Sequence, residues 1–167
     1  MTDIMFLCNL KHYNKSIKRI ELNGWNELED VRRLIENTPA LTWLDVGKKG
    51  SGQVARDKST TVATNVGEWA TMLSELPYLT AFHGVKFFYE VSAQPSVTAT
   101  STNISMTDRS RVRKNDEVAG VLAWKCGRLR RVDHWEEGTG KVIILVRDGE
   151  RANDKDKVRW EVRRVKV

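Results

Sequence analysis

The chain has 167 residues, which is enough for one ordinary domain with a buried core. Hydrophobic residues make up 40% of it and charged residues 30%, and the longest strictly apolar runs, such as Val142 to Val146, have only five residues, so the composition argues against a membrane-spanning protein and a disordered tail. The net charge of +6 comes from the last third, because residues 1–107 carry 11 Lys/Arg and 11 Asp/Glu, whereas residues 108–167 carry 17 and 11.

The cysteine content and the start of the chain bear on its location. Two cysteines, Cys8 and Cys126, cannot form a disulfide framework, and the first residues do not show the charged, apolar and small-residue pattern of a secretory leader, so we expect no secretion. A reducing compartment fits both observations. We therefore expect an intracellular protein, cytoplasmic or nuclear, without a membrane partner.

The first predicted elements are a short strand, a helix and a second short strand. Residues 17–22 have the apolar spacing I-x-x-I-x-L, and the helix is expected over Asn26 to Glu36, with Asn26 as N-cap and Glu29 in capping-box position. Pro39 stops the helix, since proline lacks an N–H group and disfavours helical geometry in its predecessor. Residues 41–46 (L-x-x-L-x-V) then repeat the first strand spacing after 24 residues, a period typical of repeat proteins.

The same helix–strand order recurs along the chain. A helix is predicted over Val66 to Leu76, followed by a strand that starts at Leu79. A weaker strand is predicted at Asn103–Met106. A further helix begins at Asn115 or Asp116 and runs through Trp124, before a strand over residues 129–134. Two terminal strands, Lys141–Arg147 and one starting at Val158, are expected to close the sheet.

These elements predict an α/β fold in which each short strand is covered by its own helix. Neighbouring copies would then bury one continuous core, as in a short solenoid with parallel strands on one face and helices on the other. We expect the repeated units to span residues 1–135. Residues 136–167 would form a basic C-terminal strand pair within the same domain.

Three segments carry a family resemblance. The segments NTPALTWLDV (residues 37–46), LPYLTAF (76–82) and CGRLRRVDHW (126–135) resemble the strand entry of leucine-rich repeats. The helix–strand style together with the segment VRWEVRRV (158–165) is similar, more narrowly, to the repeat regions of fungal F-box proteins. The resemblance implies a leucine-rich-repeat-like solenoid and a non-enzymatic protein–protein interaction module. In its narrower form it implies the substrate-recognition part of a ubiquitin-ligase receptor.

In such repeats the residues between the apolar strand positions face the partner protein. Carried over strand by strand, the resemblance implies that the partner-binding residues are Arg19, Glu21, Asn23, Trp43, Asp45, His83, Asn103, Ser105, Arg131, Asp133 and Trp135. A surface that mixes tryptophan, arginine and acids has the composition of an interface hot spot. Packing at the edge of the core is the alternative interpretation of Trp43 and Trp135, and ordinary solvated side chains are the alternative for His83 and Asp133.

No catalytic, metal or cofactor site is expected. Three histidines and two cysteines are too scattered for a zinc site, and residues 47–52 (GKKGSG) lack the spacing of a phosphate-binding loop. Asp133 and His134 stand beside acids, but adjacent strand residues point to opposite faces of a sheet.

Two other functions remain open at this point. The basic last third could bind nucleic acid through Arg159, Arg163, Arg164 and Lys166, in which case affinity would fall strongly with salt. The strand-rich stretch from Gly84 to Asp108 suggests instead a small viral jelly-roll protein, which would contain almost no helix.

Overall fold

The computed structural model describes residues 12–49, 65–89, 106–133, 141–147 and 158–164. Its strands are β1 (Arg19–Glu21), β2 (Gly24–Trp25), β3 (Trp43–Asp45), β4 (Lys48–Lys49), β5 (Ala81–His83), β6 (Arg131–Asp133), β7 (Lys141–Arg147) and β8 (Val158–Arg164). Its helices are α1 (Leu28–Glu36), α2 (Val66–Leu73) and α3 (Met106–Lys125). The predicted mixture of helices and short strands is therefore confirmed.

Six strands form one sheet in the order β1-β3-β5-β6-β7-β8. The first four strands run parallel and follow one another in chain order, whereas β7 and β8 join antiparallel. β2 and β4 form a separate parallel pair. A mostly parallel sheet accompanied by helices is not an antiparallel sandwich, so the jelly-roll alternative is wrong.

The same turn leads into β3, β5 and β6. In each turn a buried leucine donates its backbone N–H group to the carbonyl three residues earlier, in the pairs Leu41–Thr38, Leu79–Leu76 and Leu129–Cys126. The buried leucine and the apolar centre of the following strand explain the L-x-x-L spacing of the sequence: both residues reach the core, three positions apart. These turns and strands form the repeating part of the structure.

The turns are also in register with one another. The carbonyls of Lys18, Thr42 and Thr80 each accept two backbone N–H groups from the next strand entry, those of residues 42–43, 80–81 and 130–131. The Thr42 hydroxyl also donates to the Lys18 carbonyl at 3.0 Å, and the Thr80 hydroxyl donates to the Thr42 carbonyl at 2.9 Å. The aligned residues Lys18, Thr42, Thr80 and Arg130 are separated along the chain by 24, 38 and 50 residues. The register is thus kept although the connections differ in length.

Two glycines pack the strand exits closely together. Gly47 has φ +69° and Gly84 has φ +108°, in the left-handed region that side chains other than glycine rarely adopt. A Cβ atom at Gly84 would lie 2.7 Å from the Gly47 carbonyl oxygen, and one at Gly47 would lie 2.6 Å from the Leu22 carbonyl oxygen. The backbones of successive units therefore approach one another at positions where only glycine fits.

The helix starts differ from the sequence predictions. Glu27, with extended geometry, is the N-cap of α1 and makes no side-chain capping bond, so the Asn26 capping box is wrong. α3 begins at Met106, nine residues before the predicted start, and Met106 was expected in a strand. The rest of that weaker strand lies outside the described residues.

Asn115 lies inside α3 rather than at its start. Its side chain is fully buried, and its amide accepts a bond from the Tyr89 N–H group at 2.8 Å and donates one to the Tyr89 carbonyl at 2.9 Å. A buried amide is stable here because both of its polar ends are bonded. Asn115 therefore fixes α3 to the segment that follows β5.

The core lies between the helices and one face of the sheet. The central residue of each parallel strand is buried, in the series Ile20, Leu44, Phe82 and Val132. Trp69 of α2 packs on Phe82, Phe87 and Trp25, with ring centroids 5.2 to 6.3 Å apart. At the far end of the sheet, Trp160 of β8 donates from its indole N–H group to Asp116 of α3 at 2.8 Å.

Candidate functional site

The sheet face predicted to bind a partner is formed by two rows of residues, the first and the third residue of each parallel strand. The central residue of each strand is buried on the opposite face. Register places Arg19, Trp43, Ala81 and Arg131 in the first row. It places Glu21, Asp45, His83 and Asp133 in the second. Because side chains alternate along a strand, both rows belong to the face opposite the central residues. Six of the predicted binding residues, Arg19, Glu21, Trp43, Asp45, His83 and Arg131, are therefore brought onto one sheet face, and Asp133 continues the second row in backbone register.

The first row contains a stack of a cation on an aromatic ring. The Arg19 guanidinium carbon lies 3.8 Å from the centroid of the Trp43 ring, and the Trp43 and His83 rings are 4.9 Å apart. Arg19 also forms a 4.0 Å ion pair with Glu21, but both side chains are about two-thirds exposed, so this pair adds little stability. Trp43 itself is half-buried. The stack holds a planar, partly accessible surface in a fixed position.

At β3 and β5 the second row is less accessible than the first. His83 is 1% exposed and Asp45 is 9% exposed, so the solvated interpretation of His83 is wrong. The Asp45 Oδ1 atom accepts the Gly47 backbone N–H group at 2.8 Å and thereby closes the turn after β3. In this structure Asp45 shapes the strand exit, and His83 supports the Trp43 ring from the side.

The remaining predicted binding residues are not part of this stack. Asn23 is exposed but follows β1, outside the strand rows. Asp133 is aligned with His83 through the backbone register of β6. Asn103, Ser105 and Trp135 lie outside the described residues.

The basic residues predicted to bind nucleic acid belong mainly to β8. Arg159 pairs with Glu161 at 2.7 Å and its side chain is 58% exposed. Arg163 and Arg164 form the last two positions of β8, and Lys166 lies outside the described residues. At Arg159, a basic side chain is thus already paired with an acid of its own strand.

Sequence reasoning missed two residues at the strand entries. Tyr78 is 49% exposed, and the Arg128 guanidinium carbon lies 5.3 Å from its ring centroid. The two residues occupy the same position of successive turns, each directly before the buried leucine. Aligning the sequence on those leucines would have placed Tyr78 and Arg128 side by side.

The described residues also bear on metal and membrane binding. Within them, no group of three or more His, Cys, Asp or Glu side chains could hold a metal ion. The absence of a metal or cofactor site stays a prediction. None of the helices that the structure describes is long and apolar enough to cross a bilayer.

Comparison with known proteins gives no relative for this chain. No protein-family model, curated protein or solved structure matches it. Any function assigned to the strand face therefore depends on its own geometry.

Proposed function

We propose that the protein is a non-enzymatic interaction module that binds another protein on its strand-lined face. In this proposal the aligned turns and parallel strands form a short leucine-rich-repeat-like solenoid, closed at one end by β7 and β8. The supporting observation is that register collects Arg19, Trp43 and Arg131 in one row, with Arg19 stacked on Trp43. Arginine and tryptophan are the residue types most enriched at interface hot spots.

The arrangement also favours a rigid binding surface. The Trp43 ring contacts Arg19 of the neighbouring strand on one side and His83 of the neighbouring strand on the other. A side chain that is fixed before binding loses less conformational entropy when the partner arrives. We therefore assign Trp43 as the central contact and Arg19 as its positioning neighbour.

The narrower form of the proposal follows from the resemblance to fungal F-box repeat regions. In that form the partner is a substrate protein of a ubiquitin ligase, and the chain works inside the cell. The narrower form adds a partner class and leaves the assigned face unchanged.

The test separates binding from folding. Immobilised wild-type protein, W43A, W124A and L44D would be incubated with extract from the native source, and the retained proteins would be quantified by mass spectrometry. We expect W43A to stay folded by circular dichroism and to lose at least one retained protein by about tenfold or more, as is common for a hot-spot tryptophan. W124A, which removes a 65% exposed tryptophan from α3, should retain that protein.

Two outcomes would overturn the proposal. One is an unchanged set of retained proteins in W43A. The other is unfolding of W43A to the same extent as L44D, which would show that Trp43 serves the core rather than a partner. A retained protein that W43A loses and W124A keeps would then be purified, and its affinity for R19A would be measured by titration.

A further inference from the structure

One edge of the parallel part of the sheet is free of acidic residues. The segments that enter the parallel strands are residues 14–19, 38–43, 76–81 and 126–131, here called the strand-entry edge. They contain no Asp or Glu, and their basic residues are Lys15, Lys18, Arg19, Arg128, Arg130 and Arg131. The other ends of the strands carry the row Glu21, Asp45, His83 and Asp133. The strand-entry edge therefore carries only positive charge, whereas the strand exits mix these acids with Lys48, Lys49 and Lys86.

The basic residues of the strand-entry edge form two groups. Lys15, Lys18 and Arg19 lie at its β1 end, and Arg128, Arg130 and Arg131 lie at its β6 end. Three strand spacings, about 14 Å, separate the two ends. Lys18 and Arg130, which are aligned through Thr42 and Thr80, are both exposed. Each end of the edge therefore presents an exposed basic group to solvent.

Aromatic rings lie between the two basic groups. Arg19 stacks on Trp43 at 3.8 Å, and Arg128 lies over Tyr78 at 5.3 Å. Along the edge the side chains follow in the order Arg19, Trp43, Tyr78, Arg128, so that two aromatic rings lie between two cations. Both rings are partly accessible, with Tyr78 49% exposed. An extended polyanion that carries planar groups matches this order, because its charges can meet the ends while its rings stack in the middle.

We infer that the strand-entry edge binds single-stranded nucleic acid, with bases stacked on Tyr78 and Trp43 and phosphates on the two basic groups. An acidic peptide would satisfy the cations but would leave the exposed Tyr78 ring without a stacking partner. A duplex would have its bases paired and stacked already. The site shares Arg19, Trp43 and Arg131 with the proposed protein-binding row, whereas Tyr78, Arg128 and Arg130 lie outside that row.

The test uses residues outside the proposed protein-binding row. Fluorescence anisotropy would follow a labelled oligothymidylate of about 12 nucleotides binding to the full chain at about 50 and 200 mM salt. The double variant R128Q/R130Q removes two positive charges from the edge. Its control, R32Q/R33Q, removes two positive charges from α1, where both arginines pair with Glu29.

We expect R128Q/R130Q to lower the affinity at low salt by at least about tenfold and to reduce the log–log salt slope by about 1.4, which corresponds to two lost phosphate contacts. The R32Q/R33Q control should change the affinity by less than about twofold. Y78A should lower the affinity by about fivefold or more and leave the salt slope unchanged, because stacking involves no counterion release. W124A should behave like wild type.

Several results would overturn the inference. If both double variants lose affinity equally, binding follows the net charge and no edge site exists. If polyglutamate displaces the oligonucleotide at equal charge concentration, or a duplex of the same length binds as tightly, the edge recognises polyanions in general or an acidic protein. Absence of measurable binding at low salt would also reject it. None of these results bears on partner binding by Trp43.

Discussion

The parallel and antiparallel parts of the sheet are stabilised in different ways. Each of the four parallel strands has three residues, and its central side chain is buried against the helices. β7 and β8 have seven residues each and pair along their full length. β7 meets β6 through only two residue pairs and one further backbone bond, from Leu145 to the Arg130 carbonyl at 2.7 Å.

The difference shows what a short strand requires. Three residues supply few backbone bonds, so the parallel strands depend on buried leucines in their turns and on backbone contact at their exits. The longer pair supplies its own bonds and is attached to the helical layer through Trp160 and Asp116. Substitutions in the parallel part should therefore cost more stability than substitutions at the attachment of β8.

The largest effect is expected from Leu44→Asp. Leu44 is fully buried at the centre of β3, and a carboxylate there would have neither water nor a partner. We expect a loss of about 4 kcal/mol or more, enough to unfold the protein, as measured by circular dichroism and urea denaturation. A cooperative transition near the wild-type midpoint would contradict the assigned core.

Gly84→Ala tests the close approach of the strand exits. The new methyl group would meet the Gly47 carbonyl at 2.7 Å in a left-handed backbone conformation, so we expect a loss of about 3 kcal/mol in urea denaturation. Gly120→Ala is the matched control. Gly120 is exposed in α3, and a Cβ atom there has nothing within 4 Å, so the same change should stabilise the protein by about 0.5–1 kcal/mol. Equal effects would show that the exits are looser than described.

Asn115→Ala tests the link between α3 and the segment after β5. It leaves the N–H and carbonyl groups of Tyr89 without their side-chain partners, and we expect a loss of about 2 kcal/mol in thermal or urea unfolding. Arg113→Ala, at an exposed position two residues earlier, should change stability by less than about 0.5 kcal/mol. Similar results for both variants would place Asn115 outside the core.

Trp160→Phe should have the smallest effect. It removes the indole bond to Asp116 and keeps an aromatic ring near Phe88, so we expect a loss of about 1 kcal/mol. A double-mutant cycle with Asp116→Ala measures the coupling directly. Additive effects would mean that the pair does not attach β8 to α3.

The positions of the four parallel strands could be predicted because their signal is local. Leu41 and Leu44 are both buried, one in the turn and one in the strand, and this spacing recurs in the later units. The alternation of side chains then places Arg19 and Trp43 on the same face as neighbours. That part of the candidate site followed from the strand spacing together with the resemblance to leucine-rich repeats, which implies parallel neighbouring strands.

Other features depend on contacts between distant parts of the chain. The buried stripe of α3 includes Asp108 and Asn115, and polar residues in the stripe conceal its helical period. The burial of His83 and the stacking of Arg128 on Tyr78 each join residues that belong to different units. An alignment of the turns on their buried leucines would bring Tyr78 and Arg128 together, but no sequence pattern indicates the burial of His83.

The unequal spacing of the aligned turns has a consequence for engineering. Successive entries are 24, 38 and 50 residues apart, and yet the backbone bonds between them follow one pattern. Doubling the length of a chain segment that joins two fixed ends costs only about 0.6 kcal/mol in closure entropy. We therefore expect that a foreign peptide can be inserted between two aligned turns while the backbone bonds that join the turns are kept.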